Sequence, residues 1–163
     1  GHNIQNLTGC IAVAHTLGIP LSELVYPVRM LKPVEHRLQL LPNGFIDDAY
    51  NSNPAGSKAA IDALALFDGF KVLVTPGMVE LGEEQAELNK AFGAYAAKVC
   101  DYVVLVGKKQ TAPIYAGLQE AGYPADKIYV ADALSDAIIR AYGVDAGGAE
   151  KIILLENDLP DNF

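Results

Sequence analysis

The chain has 163 residues, 51% of them apolar and 20% charged, a balance that suits one globular domain with a full core and excludes a disordered chain. Twelve Lys and Arg against 20 Asp and Glu give a net charge of −8, which argues against nucleic acid or an anionic membrane as partner. Cys10 and Cys100 lie in apolar stretches with no CxxC pattern, so the expectation is two buried, reduced thiols in a cytoplasmic protein.

The chain opens at GHNIQN without an initiator Met, and a piece of a longer protein is expected. No signal peptide and no apolar run of about 20 residues is present. In NIQNLTGCIAVAHTL (3–17), Ile4, Leu7, Ile11 and Ala14 recur at helical spacing. Gly18 stops that helix and Pro20 starts a second through LSELVYPVRML. Lys32-Pro33 breaks the pattern and marks a candidate domain boundary. The rhythm then changes. HRLQLLP (36–42) reads as a strand, Asn43-Gly44 as a tight turn, and GFIDDAY (44–50) as a strand pairing back. A helix follows at 54–67, with Asn53 as N-cap and Pro54 at the first helical position. Strands at 71–75, 102–107, 127–131 and 151–156 alternate with helices at 83–98, 111–121 and 132–141. Short β-branched runs between amphipathic helices predict an α/β fold. Its sheet is Rossmann-like and mostly parallel, with one antiparallel edge strand and helices on both faces.

In such sheets ligands sit beyond the carboxyl ends of the strands. The first of those ends is IDDAYNSNP (46–54). One reading is a strand end plus a helix cap, with Asn53 capping and Asp48 complementing the helix dipole. It leaves Asp47, Tyr50 and Asn51 without a task. The other is a nucleotide site, with acids for ribose hydroxyls and Tyr50 as a stacking face. A phosphoacceptor receiver domain is poorly supported, because KVLVT ends in Pro76-Gly77 where such a domain needs a further Asp. TPGMVELGE (75–83) contains neither GxGxxG nor GxxxxGK[ST], so any ATP phosphates must be gripped elsewhere. His2, His15 and His36 are not at metal-ligand spacings, and no Ser-His-Asp order or GxSxG is present. Arg37 is either a surface charge or an anion contact. Glu83, Glu84 and Glu87 read as a solvated helix start.

Taken in order, GHNIQN, HRLQ, IDDAYNSNP, GMVELG and VLVG resemble the C-terminal region of the Mur ligases. The resemblance is strongest to the branch that adds D-alanyl-D-alanine to a UDP-muramoyl tripeptide, and it runs over nearly the whole chain. It implies an ATP-dependent amide ligase of peptidoglycan precursor synthesis, with residues 1–33 as the end of a central ATPase domain and linker and 34–163 as the C-terminal domain. The phosphate loop and the Mg2+ ligands would belong to the central domain, outside this chain. The partners implied are ATP, the UDP-muramoyl peptide, an amino acid or dipeptide acceptor and the remaining domains, in the cytoplasm, with no membrane insertion. By the same resemblance His2, Asn3 and Asn6 belong to the adenine side and Arg37 reaches ATP on closure. Asp47 and Asp48 lie near the ribose, while Tyr50, Asn51 and Asn53 line the same loop. Thr75, Gly77, Met78, Glu80, Lys108, Asn157 and Asp158 fall on loops facing the second substrate. The chain departs from the pattern where it has ENDLPDNF in place of a K-G-S-R ending and Thr75-Pro76-Gly77-Met78 in place of G-D-M. A ligase with another acceptor, a stand-alone nucleotide-binding module and a ligase-derived interaction module that has lost catalysis remain as alternatives.

Overall fold

A computed structural model describes residues 2–31, 35–50 and 52–157, with the side chains of His2, Asn3 and Gln5 excepted. The chain divides into two compact units, Gly1–Val34 and Glu35–Phe163.

The first unit holds α1 (His2–Thr16) and α2 (Leu21–Met30). Two helices can bury only one stripe each, and α2 buries no residue fully. Ile4, Val13, Tyr26 and Met30 are each more than 60% exposed. Cys10 is exposed for the same reason, against expectation.

The second unit carries six strands in the order β1-β2-β6-β3-β4-β5. They are β1 (Gln39–Leu40), β2 (Phe45–Asp48), β3 (Phe70–Thr75), β4 (Tyr102–Val106), β5 (Ile128–Ala131) and β6 (Lys151–Glu156). β1 is antiparallel to β2, and every other pairing is parallel. The connecting helices are α3 (Pro54–Leu64), α4 (Gln85–Ala96), α5 (Ala112–Glu120) and α6 (Leu134–Gly143). The connections β2–α3–β3, β3–α4–β4 and β4–α5–β5 all step the same way across the sheet. β5–α6–β6 steps back over β4 and β3. A right-handed crossover rule therefore places α3, α4 and α5 on one face and α6 on the other. Strand periodicity divides the core accordingly. Leu73, Val103, Leu105, Ile152 and Leu154 pack towards Ile61, Phe92, Ile114 and Leu118. Val72, Val74, Val104 and Ile153 pack towards Ala137 and Ala141.

Asn53 caps α3 as expected, its side chain accepting from Gly56 N at 2.9 Å, with Pro54 in the first turn. The strand expected over 36–42 shrinks to Gln39–Leu40. His36 (φ 58) and Leu38 (φ 49) take left-handed backbone that no strand allows. The Asn43-Gly44 turn forms, with Leu41 N donating to the Phe45 carbonyl at 2.8 Å.

Candidate functional site

The turn at His36–Leu38 is held by the two acids of β2. Asp47 is nearly buried. Its Oδ2 lies 2.8 Å from His36 Nδ1, and its Oδ1 accepts from Ala49 N at 3.1 Å. Asp48 Oδ1 accepts from Leu38 N at 3.0 Å. That bond ties it to the residue just before β1. Between the two pinned residues stands Arg37, exposed, with its guanidinium 4.3 Å from the centre of the Tyr50 ring. Tyr50 is 56% exposed. The result is a cation stacked on an aromatic face at the carboxyl end of β2, set in place by two carboxylates. Such a surface suits a nucleotide: the ring for a base or sugar, the guanidinium for phosphate oxygens.

Burial raises Asp48 to a pKa of about 6, with the Leu38 amide and Arg37 opposing and Glu156 and Asp47 adding to the rise. An acid whose folded pKa lies above its unfolded one favours the fold when protonated. Its contribution is complete below pH 3.8 and is lost as pH rises through about 6. Asp48→Asn keeps an acceptor for Leu38 N and removes the charge. The variant is expected to be more stable than the parent at pH 7, with most of that difference gone at pH 4. Denaturant titration at the two pH values checks this, and an equal difference at both would defeat it.

The ends of β6 and β3 meet in a buried polar cluster. Glu156 is fully buried and accepts from Ser57 Oγ at 2.5 Å and Thr75 Oγ1 at 2.7 Å. Burial pushes its pKa up, against the pull of hydrogen bonds from Ser57, Thr75 and Ser52. Asn157, 1% exposed with φ 68, accepts from Ser52 N at 2.9 Å and donates to the Gly77 carbonyl. Gly77 N donates to Thr75 Oγ1 at 3.0 Å. Asn89 on α4 clasps Met78, accepting from its N–H and donating to its carbonyl, both at 2.8 Å.

A cleft of about 690 Å³ opens between the start of α4 and the β4–α5 loop. Glu83, Gln85, Asn89, Lys108, Lys109 and Gln110 line it. Charges of both signs on one cleft suit a zwitterion: lysine for a carboxylate, glutamate for an ammonium.

The structure thus brings together Arg37, Asp47, Asp48 and Tyr50 at one strand end. Thr75, Gly77 and Met78 are buried, with the Thr75 hydroxyl turned inward to Glu156, so they act from beneath any surface a substrate would touch. Lys108 and Glu80 are exposed, and only Lys108 lines the cleft. Asn53 is occupied with its cap. Asn6 is exposed on α1 in the first unit. His2 and Asn3 begin α1, and their side chains lie outside the described residues, as do Asn51 and Asp158. Sequence reasoning missed Ser57, Glu156, Asn89 and Lys109. The available signal was an acid closing an otherwise apolar parallel strand, KIILLE, which demands buried donors nearby. Among the described residues no three of His, Cys, Asp or Glu gather as a metal site. No described helix is long and apolar enough to cross a membrane.

Comparison with known proteins gives the family. The sequence profile described as "Mur ligase, glutamate ligase domain" matches residues 36–155. UDP-N-acetylmuramoyl-tripeptide--D-alanyl-D-alanine ligase of Escherichia coli K12 is 36% identical over 116 residues, covering 68% of this chain and 26% of the relative. UDP-N-acetylmuramoylalanine--D-glutamate ligase of Caldanaerobacter subterraneus is 29% identical over 156 residues, covering 90% of this chain and 32% of the relative. The solved MurF of Acinetobacter baumannii superimposes with a TM-score of 0.80 at 24% identity, over 99% of this chain and 36% of that one. The MurF ligase of Thermotoga maritima in complex with ADP gives 0.75 at 25% identity, over 96% and 35%. The chain therefore spans about a third of the length of the relatives it matches. A profile covering most of the chain leads to one conclusion: this chain belongs to the Mur ligase family and carries its glutamate ligase domain.

Proposed function

We propose that this chain is the C-terminal, ATP- and acceptor-positioning part of an ATP-dependent amide ligase of peptidoglycan precursor synthesis. The observation that carries the reading is Arg37, held over Tyr50 by a turn that Asp47 and Asp48 pin. A charge restrained in strained backbone by two acids is costly to build and suits a ligand that needs it there. In the proposed reaction ATP phosphorylates the carboxylate of a UDP-muramoyl tripeptide, the acceptor amine attacks the acyl phosphate, and ADP and phosphate leave. Arg37 neutralises phosphate charge, and Tyr50 presents a face to the nucleoside. The Lys108–Lys109 cleft takes the zwitterionic acceptor, and closure of the domain excludes water from the acyl phosphate. Residues 1–33 would complete the central domain, the exposed apolar side chains of α1 and α2 packing into it. The phosphate loop and Mg2+ ligands are assigned to that domain, and the enzyme to the cytoplasm, where its nucleotide substrates are.

The preferred acceptor is D-Ala-D-Ala. A second acceptor class stays in view because relatives named for D-glutamate and for D-alanyl-D-alanine both match. Phosphate release by the full-length protein tests the reading, with ATP, Mg2+, UDP-muramoyl tripeptide and one acceptor at a time. Release that requires D-Ala-D-Ala is expected. Release with a single amino acid alone moves the chain to another step of the same chemistry. Release with no acceptor offered rejects the ligase reading, and this chain by itself is expected to release none.

A further inference from the structure

Two successive residues at the end of β6 reach in the same two directions. Glu156 bonds Ser57 on α3 and Thr75 at the end of β3. Asn157 bonds Ser52, just before α3, and Gly77, just after β3. Ser52 and Ser57 are joined at 2.7 Å between their hydroxyls, and Thr75 and Gly77 at 3.0 Å, so each side is closed on itself. Every partner is a backbone group or a short hydroxyl side chain with little freedom of its own. Glu156 and Asn157 are 0% and 1% exposed, so no water competes for these bonds. Fold stability alone would not call for this design. An apolar pair would fill the same space without desolvating a carboxylate. The left-handed backbone at Asn157 disfavours most side chains and keeps one amide aimed at two loops at once.

We propose that Glu156 and Asn157 are a positioning pair that clamps the start of α3 to the β3–α4 corner, so that a shift on one side is imposed on the other. Resting on the function proposed above, the α3 side adjoins the nucleotide surface of Tyr50. The β3–α4 corner adjoins the acceptor cleft through Met78 and Asn89. Seating one substrate would thus set the geometry offered to the second.

Asn157→Gly tests the clamp with little strain, because glycine accepts the φ of 68 and only the amide is lost. Amide hydrogen exchange on this chain is the first readout. Exchange is expected to rise roughly tenfold at Ser52, whose N–H loses its acceptor, and to rise with it at Gly77, whose carbonyl loses its donor while its own N–H still bonds Thr75, beyond any general rise seen at Val74 and Leu154. A rise on one side only, or none, overturns the clamp. If Asn157→Gly does not fold, Glu156→Gln keeps the shape and the acceptor on one side only, and a smaller rise at both Ser52 and Gly77 is still expected, because a clamp passes the loss on one side to the other. In the full-length enzyme Asn157→Gly is expected to raise the KM for ATP and for the acceptor by similar factors. A lower melting temperature with both KM values unchanged reduces the pair to structure and overturns the positioning role. A parent enzyme without ligase turnover rejects the proposed function instead, and the exchange result still decides the clamp.

Discussion

Gly117→Ala is expected to lower the thermal midpoint of the chain by about 6 °C, although alanine is the better helix former. In an exposed helix the exchange would stabilise by about 1 kcal/mol. Here α4 and α5 cross backbone to backbone, with a glycine on each facing the other. A Cβ at Gly117 would overlap the Lys90 carbonyl oxygen outright and stand 2.9 Å from its carbon and 3.0 Å from Ala94 N. A Cβ at Gly93 would meet the Ile114 carbonyl in the same way. Neither obstacle is a flexible side chain, so the helices must separate. Ile114, Leu118, Phe92 and Ala96, which fill the core beneath them, then lose contact. An overpacking cost of roughly 3 kcal/mol outweighs the propensity gain. Gly143→Ala is the control, since nothing lies within 4 Å of that position. It is expected to be neutral or slightly stabilising, and calorimetry of both variants decides. An unchanged midpoint for Gly117→Ala would mean that the two helices adjust freely.

Arg37→Ala in the full-length enzyme is expected to lower kcat/KM for ATP about 100-fold, the lower end of the range for removing one preorganised donor aimed at developing charge. The stacking of its guanidinium on the exposed Tyr50 ring accounts for about 0.5–1 kcal/mol of any stability change. Asp47→Asn weakens the His36 contact and is expected to show a milder form of the same defect, because Arg37 is still present but less well aimed. Tyr50→Phe keeps the stacking face and is expected to stay near parental activity. Unchanged kinetics for Arg37→Ala would return this residue to the solvent-facing charges.

Sequence periodicity located the sheet well because its strands are buried on both faces. KVLVT, YVVLV and KIILLE are nearly unbroken β-branched and apolar runs. β3, β4 and β6 lie within one residue of where those runs predict them. The stretch 36–42 failed for a non-local reason. HRLQLLP alternates like a strand, but His36 and Leu38 are bent by acids about ten residues away. No window of the chain contains that instruction. Asp47, Asp48, Tyr50 and Arg37 were legible as a group through their resemblance to a known motif. That the acids pin the turn was not. Glu156 was read as an end of strand, and its role appears only when Ser57 and Thr75, 99 and 81 residues away in the chain, close over it. The glycines of α4 and α5 looked ordinary, since close helix approach leaves no mark on spacing or charge.

The place of β6 between β2 and β3 bears on how the domain acquires its shape during synthesis. Until residues 151–156 have left the ribosome, β2 lacks its parallel neighbour, and β1–β2 and β3–β4–β5 are two separate ribbons. Joining Phe45 to Ile153 closes a loop of more than a hundred residues, and that search is expected to set a slow step once β6 has emerged. The same strand ends in Glu156, so the polar clamp cannot form before the sheet does. The sheet therefore stays in two pieces until β6 slides into the middle, and the joint between the start of α3 and the end of β3 is made last.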